Sequence, residues 1–331
     1  MIETLLAACL AASLAGTTPA HAYAGEIGTD AYILMIDGEV IDSYGDLDAP
    51  YRLHSVRKSL LGLLYGIAEA RGEADLDATL GELGISDYSP LSRTEASARV
   101  IDLLASRSGV HRSAVHENAG FDAVRPPPGS HGPGEHWFYS NWDFNAAGTA
   151  YQIQNGRSIC RDLNDRIAEP LGLADFTTAD CAWRYSPRSR HTAYVFRMSA
   201  RDLARIGELM ANGGRWNGEQ LVPASWIERS IAPRSQVTRP DGIEMPGVAY
   251  GLMWWTRWPG TPFYETVDLG EGAFAASGTG TQLLLVAPER GLVFVHRNDT
   301  DVPSSEYRSI DDDQIARLLA LALEAPRRGL R

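Results

Sequence analysis

Lysine is almost absent from this chain. Among 30 lysine and arginine residues, Lys58 is the only lysine. An arginine side chain keeps its proton at any working pH, whereas a lysine that is partly buried near other cations can lose its proton and act as a base. The excess of arginine is typical of a GC-rich genome, but the one lysine marks a position that needs an amine.

Positive charge and long apolar runs are also scarce. The formal net charge is −12 and the isoelectric point is about 5.1, which argues against nucleic acid or an anionic membrane surface as a partner. The apolar run at residues 5–16 is shorter than the about 20 residues of a membrane-spanning helix, so we expect no integral membrane span. Hydrophobic residues make up 44% of the 331 residues, which is enough to bury the core of a soluble globular enzyme. The sequence does not indicate an oligomeric state.

The N-terminus combines features for and against an export signal. An apolar run is followed by Ala20 and Ala22, which are spaced as at a signal-peptidase site. However, no lysine or arginine precedes Arg52, and a signal peptide normally begins with positive charge. Residues 1–22 are therefore a candidate signal peptide, and two localisations stay open: export to the periplasm or the cell exterior, and retention in the cytoplasm.

Cysteine is scarce as well, with three residues in the chain. Only Cys160 and Cys181 would survive removal of residues 1–22. Their spacing alone does not show whether they form a disulfide, so their pairing stays open.

Strand patterns occur at both ends of the chain. Residues 31–36 and 39–44 predict a hairpin, and residues 281–286 and 292–296 predict two further strands. A final helix is predicted from Asp311 to Arg328. Because strands come early and late, we predict one antiparallel sheet built from both chain ends and flanked by helices.

The middle of the chain differs in character. Residues 81–190 contain short helices and loops rich in glycine and proline, which predicts an all-helical lobe. The predicted fold class is therefore α/β (α+β), with an α/β domain formed by residues 23–80 and 191–331 and a helical insertion lobe formed by residues 81–190.

The first candidate motif is the Ser-x-x-Lys sequence formed by Ser55 and Lys58. The apolar run at residues 60–68 predicts a helix that ends near Arg71 and Gly72. A spacing of three residues places both side chains on one helix face, so Ser55 is a candidate nucleophile and Lys58 a candidate base. Ser55 also opens the helix, where free N–H groups and the helix dipole stabilise negative charge on oxygen. Taken alone, Ser-x-x-Lys occurs in many proteins.

The second candidate motif is Tyr139 and Asn141, within the aromatic sequence at residues 137–142. A tyrosine near Ser55 could act as a phenolate base or a proton shuttle at neutral pH only if a cation such as Lys58 lowered its pKa. The amide of Asn141 could orient a substrate. A packed aromatic loop is the alternative explanation.

The third candidate motif is Ala276-Ser277-Gly278-Thr279, which opens an apolar strand. Small residues allow a substrate to approach a strand edge, and the Thr279 N–H could pair with the Ser55 N–H as an oxyanion hole. Ser277, Gly278 and Thr279 are thus candidate substrate-binding residues. A turn at the edge of the sheet is the alternative explanation.

Signatures of several other enzyme classes are missing. The sequence has no Gly-x-Ser-x-Gly elbow, no His-Glu-x-x-His helix and no Walker-type phosphate loop. Classical α/β-hydrolase, zinc protease and nucleotide-binding functions therefore lack their motifs. We interpret the scattered histidines as solvated or core residues. We interpret His54, which is next to Ser55 in sequence, as a residue that supports the site and is not itself catalytic.

In this order, the three motifs resemble those of the serine β-lactamase and penicillin-binding-protein superfamily. The Tyr-x-Asn form of the second motif is most similar to the class C β-lactamase branch, which includes family VIII carboxylesterases and 6-aminohexanoate-dimer hydrolase. The resemblance extends over nearly the whole chain from Ala31 onwards. It implies an α/β sandwich with an all-helical lobe, and an active site between them.

The resemblance also implies a role for each motif residue. Ser55 would be the acylated nucleophile, Lys58 its base partner, Tyr139 the general base and acid, and Asn141 an amide that orients the substrate. It implies no metal and no cofactor. We therefore predict a serine hydrolase that acts through a covalent acyl-enzyme on a small-molecule carboxylic ester or amide.

One position departs from the family pattern. β-Lactamases and transpeptidases carry a cation where this chain has Ala276, and that cation helps to hold a substrate carboxylate. Its loss favours an uncharged ester or a small amide as substrate. Trp254 and Trp255 could line an apolar acyl pocket, with buried structural tryptophans as the alternative. Two other functions stay open: a β-lactamase or DD-peptidase, and a non-turnover protein that only binds its ligand or is slowly acylated by it.

Overall fold

The computed structural model describes residues 18–117, 119–238, 244–303 and 308–324. Its strands are β1 (Ala31–Ile36), β2 (Glu39–Gly45), β3 (Tyr51–Arg52), β4 (Cys181–Ser186), β5 (Ser189–Met198), β6 (Arg215–Trp216), β7 (Glu219–Gln220), β8 (Ser235–Thr238), β9 (Glu244–Tyr250), β10 (Trp255–Arg257), β11 (Phe274–Gly278), β12 (Gln282–Ala287) and β13 (Leu292–Arg297). In this part of the chain, eight antiparallel strands form one large sheet in the order β2-β1-β13-β12-β11-β10-β9-β8. A smaller sheet has the order β3-β5-β4, and β6 pairs with β7.

Helices cover both faces of the large sheet. The helices are α1 (Pro19–Ile27), α2 (Val56–Ala70), α3 (Arg93–Ala96), α4 (Val100–Leu104), α5 (Ala119–Val124), α6 (Asn141–Asn155), α7 (Ile159–Leu163), α8 (Glu169–Leu171), α9 (Ala200–Ala211), α10 (Ala224–Ile231) and α11 (Asp312–Leu323). A π-helical turn at Asn164–Ala168 and two 3₁₀ turns at Thr178–Asp180 and Pro288–Arg290 complete the helical elements of the described ranges.

The two ends of the chain meet in the large sheet. Strand β1 lies antiparallel to β13, with Ala31 opposite Arg297, and it forms the predicted hairpin with β2. Asp37 and Gly38 join β1 to β2 with φ values of 50° and 80°, and a two-residue turn with positive φ matches the twist of the strands. The predicted fold class, an antiparallel sheet built from both ends and flanked by helices, is confirmed.

Each face of the sheet packs against its own helices. Successive residues of a strand point to opposite faces. In β1, Tyr32 and Leu34 pack on the face covered by α1 and α11, whereas Ile33 and Met35 pack on the face covered by α2 and α9. Strands β12 and β13 are buried along their whole length, which explains why their sequences are continuously apolar.

Helix α2 lies in the centre of the molecule and carries the first motif. Residues 56–68 are all buried, because the helix packs against β11 and β12 of the large sheet and against helices α6, α7 and α10. Burial of a leucine side chain contributes about 1.5–3 kcal/mol relative to exposure, so Leu60, Leu61 and Leu64 anchor the helix firmly. Ser55, which immediately precedes α2, is therefore held by the core.

The middle of the chain contains the predicted short helices and, near its end, strands that were not predicted. Strand β4, at Cys181–Ser186, pairs with β5. Its sequence has two aromatic residues, Trp183 and Tyr185, but no β-branched residue, so only part of the usual composition of a strand is present. The division into an α/β domain and a lobe bounded by residues 81–190 stays a prediction.

A disulfide crosses this region. Cys160 of α7 and Cys181 of β4 are bonded, with 2.05 Å between the sulfur atoms. The bond attaches the first residue of β4 to α7, and it answers the question of pairing that the sequence left open.

The terminal segments are described in part. Residues 19–22 of the candidate signal peptide form the first turn of α1, which Thr18 caps, and residues 1–17 lie outside the described residues. The last described helix, α11, begins after Asp311, whose side chain accepts a hydrogen bond from the Gln314 N–H at 2.8 Å. Its predicted continuation to Arg328 lies outside the described residues. Within the described ranges, no helix is long and apolar enough to cross a membrane.

Candidate active site

Ser55 lies at a sharp turn between β3 and α2. The preceding residue, His54, has a φ of 45°, in the left-handed region that is unfavourable for residues other than glycine. Two contacts hold the turn: His54 Nε2 lies 2.7 Å from Thr300 Oγ1, and Arg297 Nη2 donates a hydrogen bond to the carbonyl oxygen of Tyr51 at 2.9 Å. Ser55 caps α2 without a side-chain capping hydrogen bond, so its hydroxyl is available to another partner.

The amine of Lys58 is a partner of the Ser55 hydroxyl, and the phenol of Tyr139 lies beside the same amine. Lys58 Nζ lies 3.0 Å from Ser55 Oγ and 2.8 Å from Tyr139 Oη. Lys58 is 1% exposed, whereas Ser55 and Tyr139 are partly exposed and line the pocket. The structure thus brings these three predicted residues together, although Tyr139 is 81 positions from Lys58 in sequence.

The surroundings of Lys58 favour a neutral amine. Burial lowers its pKa well below the ordinary value of 10.5, the Arg57 guanidinium lowers it further, and Glu117 has a smaller effect in the opposite direction. The rings of Tyr139 and Phe144 lie 4.2 and 4.4 Å from Nζ. Their attraction for a cation is worth about 0.5–2 kcal/mol, which is less than the desolvation of a buried charge. Lys58 is therefore suited to accept a proton.

Tyr139 keeps its own proton at neutral pH. Burial raises the pKa of its phenol to about 12, while the hydrogen bond with Ser55 and the charge of Arg57 act to lower it. A phenolate was predicted only if a cation such as Lys58 lowered this pKa, and Lys58 is not among the groups that lower it. Tyr139 is therefore suited to relay a proton and not to serve as a standing base.

Aromatic side chains hold the Tyr139 ring in place. Trp255 stacks on it with 5.4 Å between ring centroids, and Tyr250 contacts it edge to face at 5.9 Å. Trp254 is fully buried in the core. Neither tryptophan lines the pocket at Ser55. Of the two roles considered for these tryptophans, the packing role therefore fits their positions.

Asn141 is the first residue of α6 and lines the same pocket as Ser55. The preceding Ser140 caps the helix by accepting a hydrogen bond from the Asp143 N–H at 3.3 Å. The Asn141 Nδ2 lies 3.5 Å from the carbonyl oxygen of His116, which is too long for a strong hydrogen bond. Its amide is therefore free to contact a substrate.

Strand β11 approaches Ser55 very closely. A Cβ atom at Gly278 would lie 2.7 Å from the carbonyl oxygen of Leu53 and 2.9 Å from the Ser55 nitrogen, so this position requires glycine. Thr279 lines the pocket. Ser277 is exposed and is not among the residues that line the pocket. The structure thus brings Gly278 and Thr279 to Ser55, but not Ser277.

These groups enclose a pocket of about 380 Å³. Its lining residues are Arg52, His54, Ser55, Arg57, His116, Phe121, Tyr139, Asn141, Arg184, Val195 and Thr279. The arginines among them were not predicted as site residues. Arg57 lies inside the first motif, so a signal was available there, whereas nothing in the sequence relates Arg184 to Ser55.

Two larger cavities lie elsewhere on the molecule. One of about 520 Å³ lies beside Arg112 and Pro127, and one of about 720 Å³ lies beside Met35 and Ala204. Neither is lined by Ser55, Tyr139 or Asn141. Among the described residues, no group of histidine, cysteine or carboxylate side chains is arranged to hold a metal ion. The Ser55 pocket is therefore the candidate active site.

Several solved structures share this fold. A penicillin-binding protein homologue from Caulobacter crescentus is 18% identical, with a TM-score of 0.64 over 94% of this chain and 99% of that chain. A family VIII carboxylesterase is 15% identical, with a TM-score of 0.63 over 93% of this chain and 98% of that chain. A protein provisionally described as a 6-aminohexanoate-dimer hydrolase, from Bacillus anthracis, is 18% identical, with a TM-score of 0.63 over 91% of this chain and 79% of that chain. At these identities the likeness shows the fold.

The family follows from the sequence match. The family model described as Beta-lactamase matches residues 12–312, so the chain belongs to the β-lactamase family. The predicted resemblance is therefore confirmed, and hydrolases are among the structural relatives. No curated protein matches the chain significantly.

Proposed function

We propose that this protein is a serine hydrolase that cleaves a carboxylic ester or a small amide through a covalent acyl-enzyme. The observation that carries the proposal is the contact of the Ser55 hydroxyl with Lys58 Nζ at 3.0 Å, in surroundings that favour the neutral amine. A serine hydroxyl is a weak nucleophile until an adjacent base takes its proton. Family membership and the hydrolase names of two structural relatives agree with this class of reaction.

Acylation begins when Ser55 Oγ attacks the substrate carbonyl carbon and its proton passes to the Lys58 amine. The carbonyl oxygen becomes an oxyanion, which the N–H groups of Ser55 and Thr279 stabilise. The close approach of Gly278 to the Ser55 nitrogen supports this pairing, and such donors lower the barrier most when they are already in place. Collapse of the tetrahedral intermediate breaks the bond to the leaving group.

The leaving group needs a proton as it departs. Tyr139 donates its phenolic proton to the leaving oxygen or nitrogen and takes one from the Lys58 ammonium, whose Nζ lies 2.8 Å away. The neutral amine is thereby restored. A water molecule then attacks the acyl carbon and gives a proton to the same pair, which returns a proton to Ser55 Oγ as its bond to the acyl carbon breaks and the acid is released. Asn141 orients the carbonyl substituents during both steps.

The same site could perform β-lactam hydrolysis, the reaction that the family name suggests. Ala276 argues against it, because the side chain at this position is a methyl group that is 1% exposed. A chromogenic cephalosporin measured beside simple esters separates the two reactions.

Comparison of wild type with Ser55→Ala tests the proposal. We expect wild type to hydrolyse short-chain nitrophenyl esters or a nitroanilide, and Ser55→Ala to lose this activity. Ser97→Ala is the matched control, because Ser97 is exposed and does not line the pocket, and we expect it to retain activity. Full activity of Ser55→Ala on a substrate that wild type hydrolyses would refute the proposal. Stoichiometric acylation without turnover would instead identify a non-turnover binding protein.

A further inference from the structure

The pocket at Ser55 is positively charged although the chain as a whole is acidic. Arg52, Arg57 and Arg184 line it, and no lining residue in the described part of the chain is an aspartate or a glutamate. The formal net charge of the chain is −12. The local charge is therefore opposite in sign to that of the rest of the molecule, and such a pocket concentrates anionic ligands.

The histidines of the pocket add no charge at neutral pH. Burial, followed by the charge of Arg52, lowers the pKa of His54 to about 4. Burial, followed by the charge of Arg57, lowers the pKa of His116 to about 4. The charged residues that line the pocket at neutral pH are therefore the three arginines.

Two of the arginines lie in the pocket wall, and they differ in how their charge is balanced. Arg52 Nε forms an ion pair with Asp301 Oδ1 at 2.7 Å. Arg57 is 3% exposed, and its Nη2 donates a hydrogen bond to Asn145 Oδ1 at 3.3 Å. Its guanidinium lies 4.3 Å from the ring centre of Tyr194, and its Nη1 has no hydrogen-bond partner. Arg57 is thus a buried cation without a counter-ion among its hydrogen-bond partners.

Arg184 is the accessible cation of the pocket. It lies on β4 and is exposed, and within the described residues its side chain has no ion-pair partner. An exposed guanidinium can form two parallel hydrogen bonds with a carboxylate. The neighbouring Arg188 is different, because it is paired with Asp122 at 2.9 Å.

The expectation of an uncharged substrate was based on the third motif alone. Position 276 lies on β11 of the large sheet, where the family pattern has a cation and this chain has Ala276. Arg184 belongs to the smaller sheet, and no sequence pattern links the two positions. The structure therefore shows that the pocket has a cation from another element.

Resting on the proposed function, we infer that the substrate is a small ester or amide with a free carboxylate, which Arg184 binds while Arg57 attracts it from the pocket wall. A pocket of about 380 Å³ suits such a small molecule. Ser55 and Arg184 line the same pocket, so a single compact substrate can contact both.

Two pairs of chromogenic esters that differ by one charge test this inference. The first pair places the carboxylate in the acyl group: the nitrophenyl half-ester of glutaric acid against the nitrophenyl ester of pentanoic acid. The second pair places it in the leaving group: carboxynitrophenyl butyrate against nitrophenyl butyrate. We expect wild type to have the higher kcat/KM for the charged member of at least one pair.

Substitutions of Arg184 should change this preference. A hydrogen-bonded ion pair supports a preference of about tenfold to 100-fold, so we expect Arg184→Gln to lose that factor. Arg184→Lys should retain part of it, and Arg184→Glu should favour the neutral ester. Arg190→Gln is the matched control, because Arg190 is exposed, lies on the adjacent β5 and does not line the pocket. It removes the same charge and should leave the ratio unchanged.

The outcomes separate this inference from the proposed function. Hydrolysis of both neutral esters as fast as their charged partners would refute the inference and leave the proposed function intact. A change of ratio in Arg184→Gln no larger than in Arg190→Gln would also refute it. If a folded wild type hydrolyses none of the four esters and no fluorophosphonate label appears on Ser55, the proposed function and the inference both fail. Thermal unfolding of each variant confirms that it is folded.

Discussion

Replacement of Lys58 with arginine would place a permanent positive charge in the site and remove the base. Arginine holds its proton at any working pH, so the variant cannot accept the Ser55 proton. In wild type, the Lys58 amine is placed to accept it, with Nζ 3.0 Å from Ser55 Oγ. The larger guanidinium would also press on Tyr139 and Phe144, because Lys58 is 1% exposed and its Nζ lies within 4.4 Å of both ring centres.

The expected loss is large. General-base catalysis is worth about 10²–10⁴-fold in rate, which corresponds to about 3–5 kcal/mol of barrier at 1.36 kcal/mol per tenfold. We therefore expect kcat/KM of Lys58→Arg for a nitrophenyl ester to fall by that factor. Lys58→Met, an uncharged side chain of similar length, is the matched control and should fall by a similar factor. If Lys58→Arg keeps more than a tenth of the wild-type kcat/KM, charge alone suffices and the reasoning is refuted.

The effect of the control variant on stability has a predictable sign. Burial lowers the Lys58 pKa in the folded protein, whereas the unfolded chain titrates at about 10.4. Between these values the unfolded chain binds a proton that the folded protein does not, so the wild type is destabilised there and regains stability as the pH rises towards the unfolded value. The stability of Lys58→Met relative to wild type should therefore be greater at neutral pH than at a pH of about 10. Urea unfolding at both pH values measures the difference in the free energy of unfolding between Lys58→Met and wild type. The same difference at both pH values would contradict a lowered pKa of Lys58.

Three further predictions follow from the geometry. Gly278→Ala should lower kcat/KM by about tenfold or more, because the new Cβ would lie 2.9 Å from the Ser55 nitrogen. Circular dichroism should show that the variant stays folded. An unchanged kcat/KM would contradict the oxyanion site. In wild type, kcat/KM should rise with pH as Lys58 loses its proton. Tyr139 should cause no fall in kcat/KM below its pKa of about 12. A profile of kcat/KM that is flat from acid to neutral pH would contradict the role of Lys58 as the base. Replacing Cys160 and Cys181 with serine should lower the free energy of unfolding by about 3 kcal/mol, and a reductant should destabilise wild type but not this variant.

The sequence predicted the parts of the site that depend on local spacing. Ser55 and Lys58 lie on one helix turn, so their contact follows from three residues of separation. The sheet was predictable because β1, β12 and β13 show strand periodicity or continuous apolar runs, and the turn at Asp37 and Gly38 has its own signature.

Other parts depend on long-range packing and could not be predicted. The approach of Tyr139 to Lys58 was expected only from a family resemblance, and the sign of the change in the Tyr139 pKa depends on burial that a sequence does not specify. The sequence left two roles open for Trp255, and only the folded chain shows that it packs on Tyr139. Arg184 reaches the pocket on β4, a strand with no β-branched residue, so its charge was not included when the substrate was considered.

The central claim is that Ser55 is the nucleophile, and intact-mass labelling tests it most directly. We predict that a fluorophosphonate probe adds one phosphonyl group to wild type, that peptide mapping locates it on Ser55, and that Ser55→Ala stays unlabelled. A folded wild type that remains unlabelled, or a label that persists in Ser55→Ala, would contradict the account.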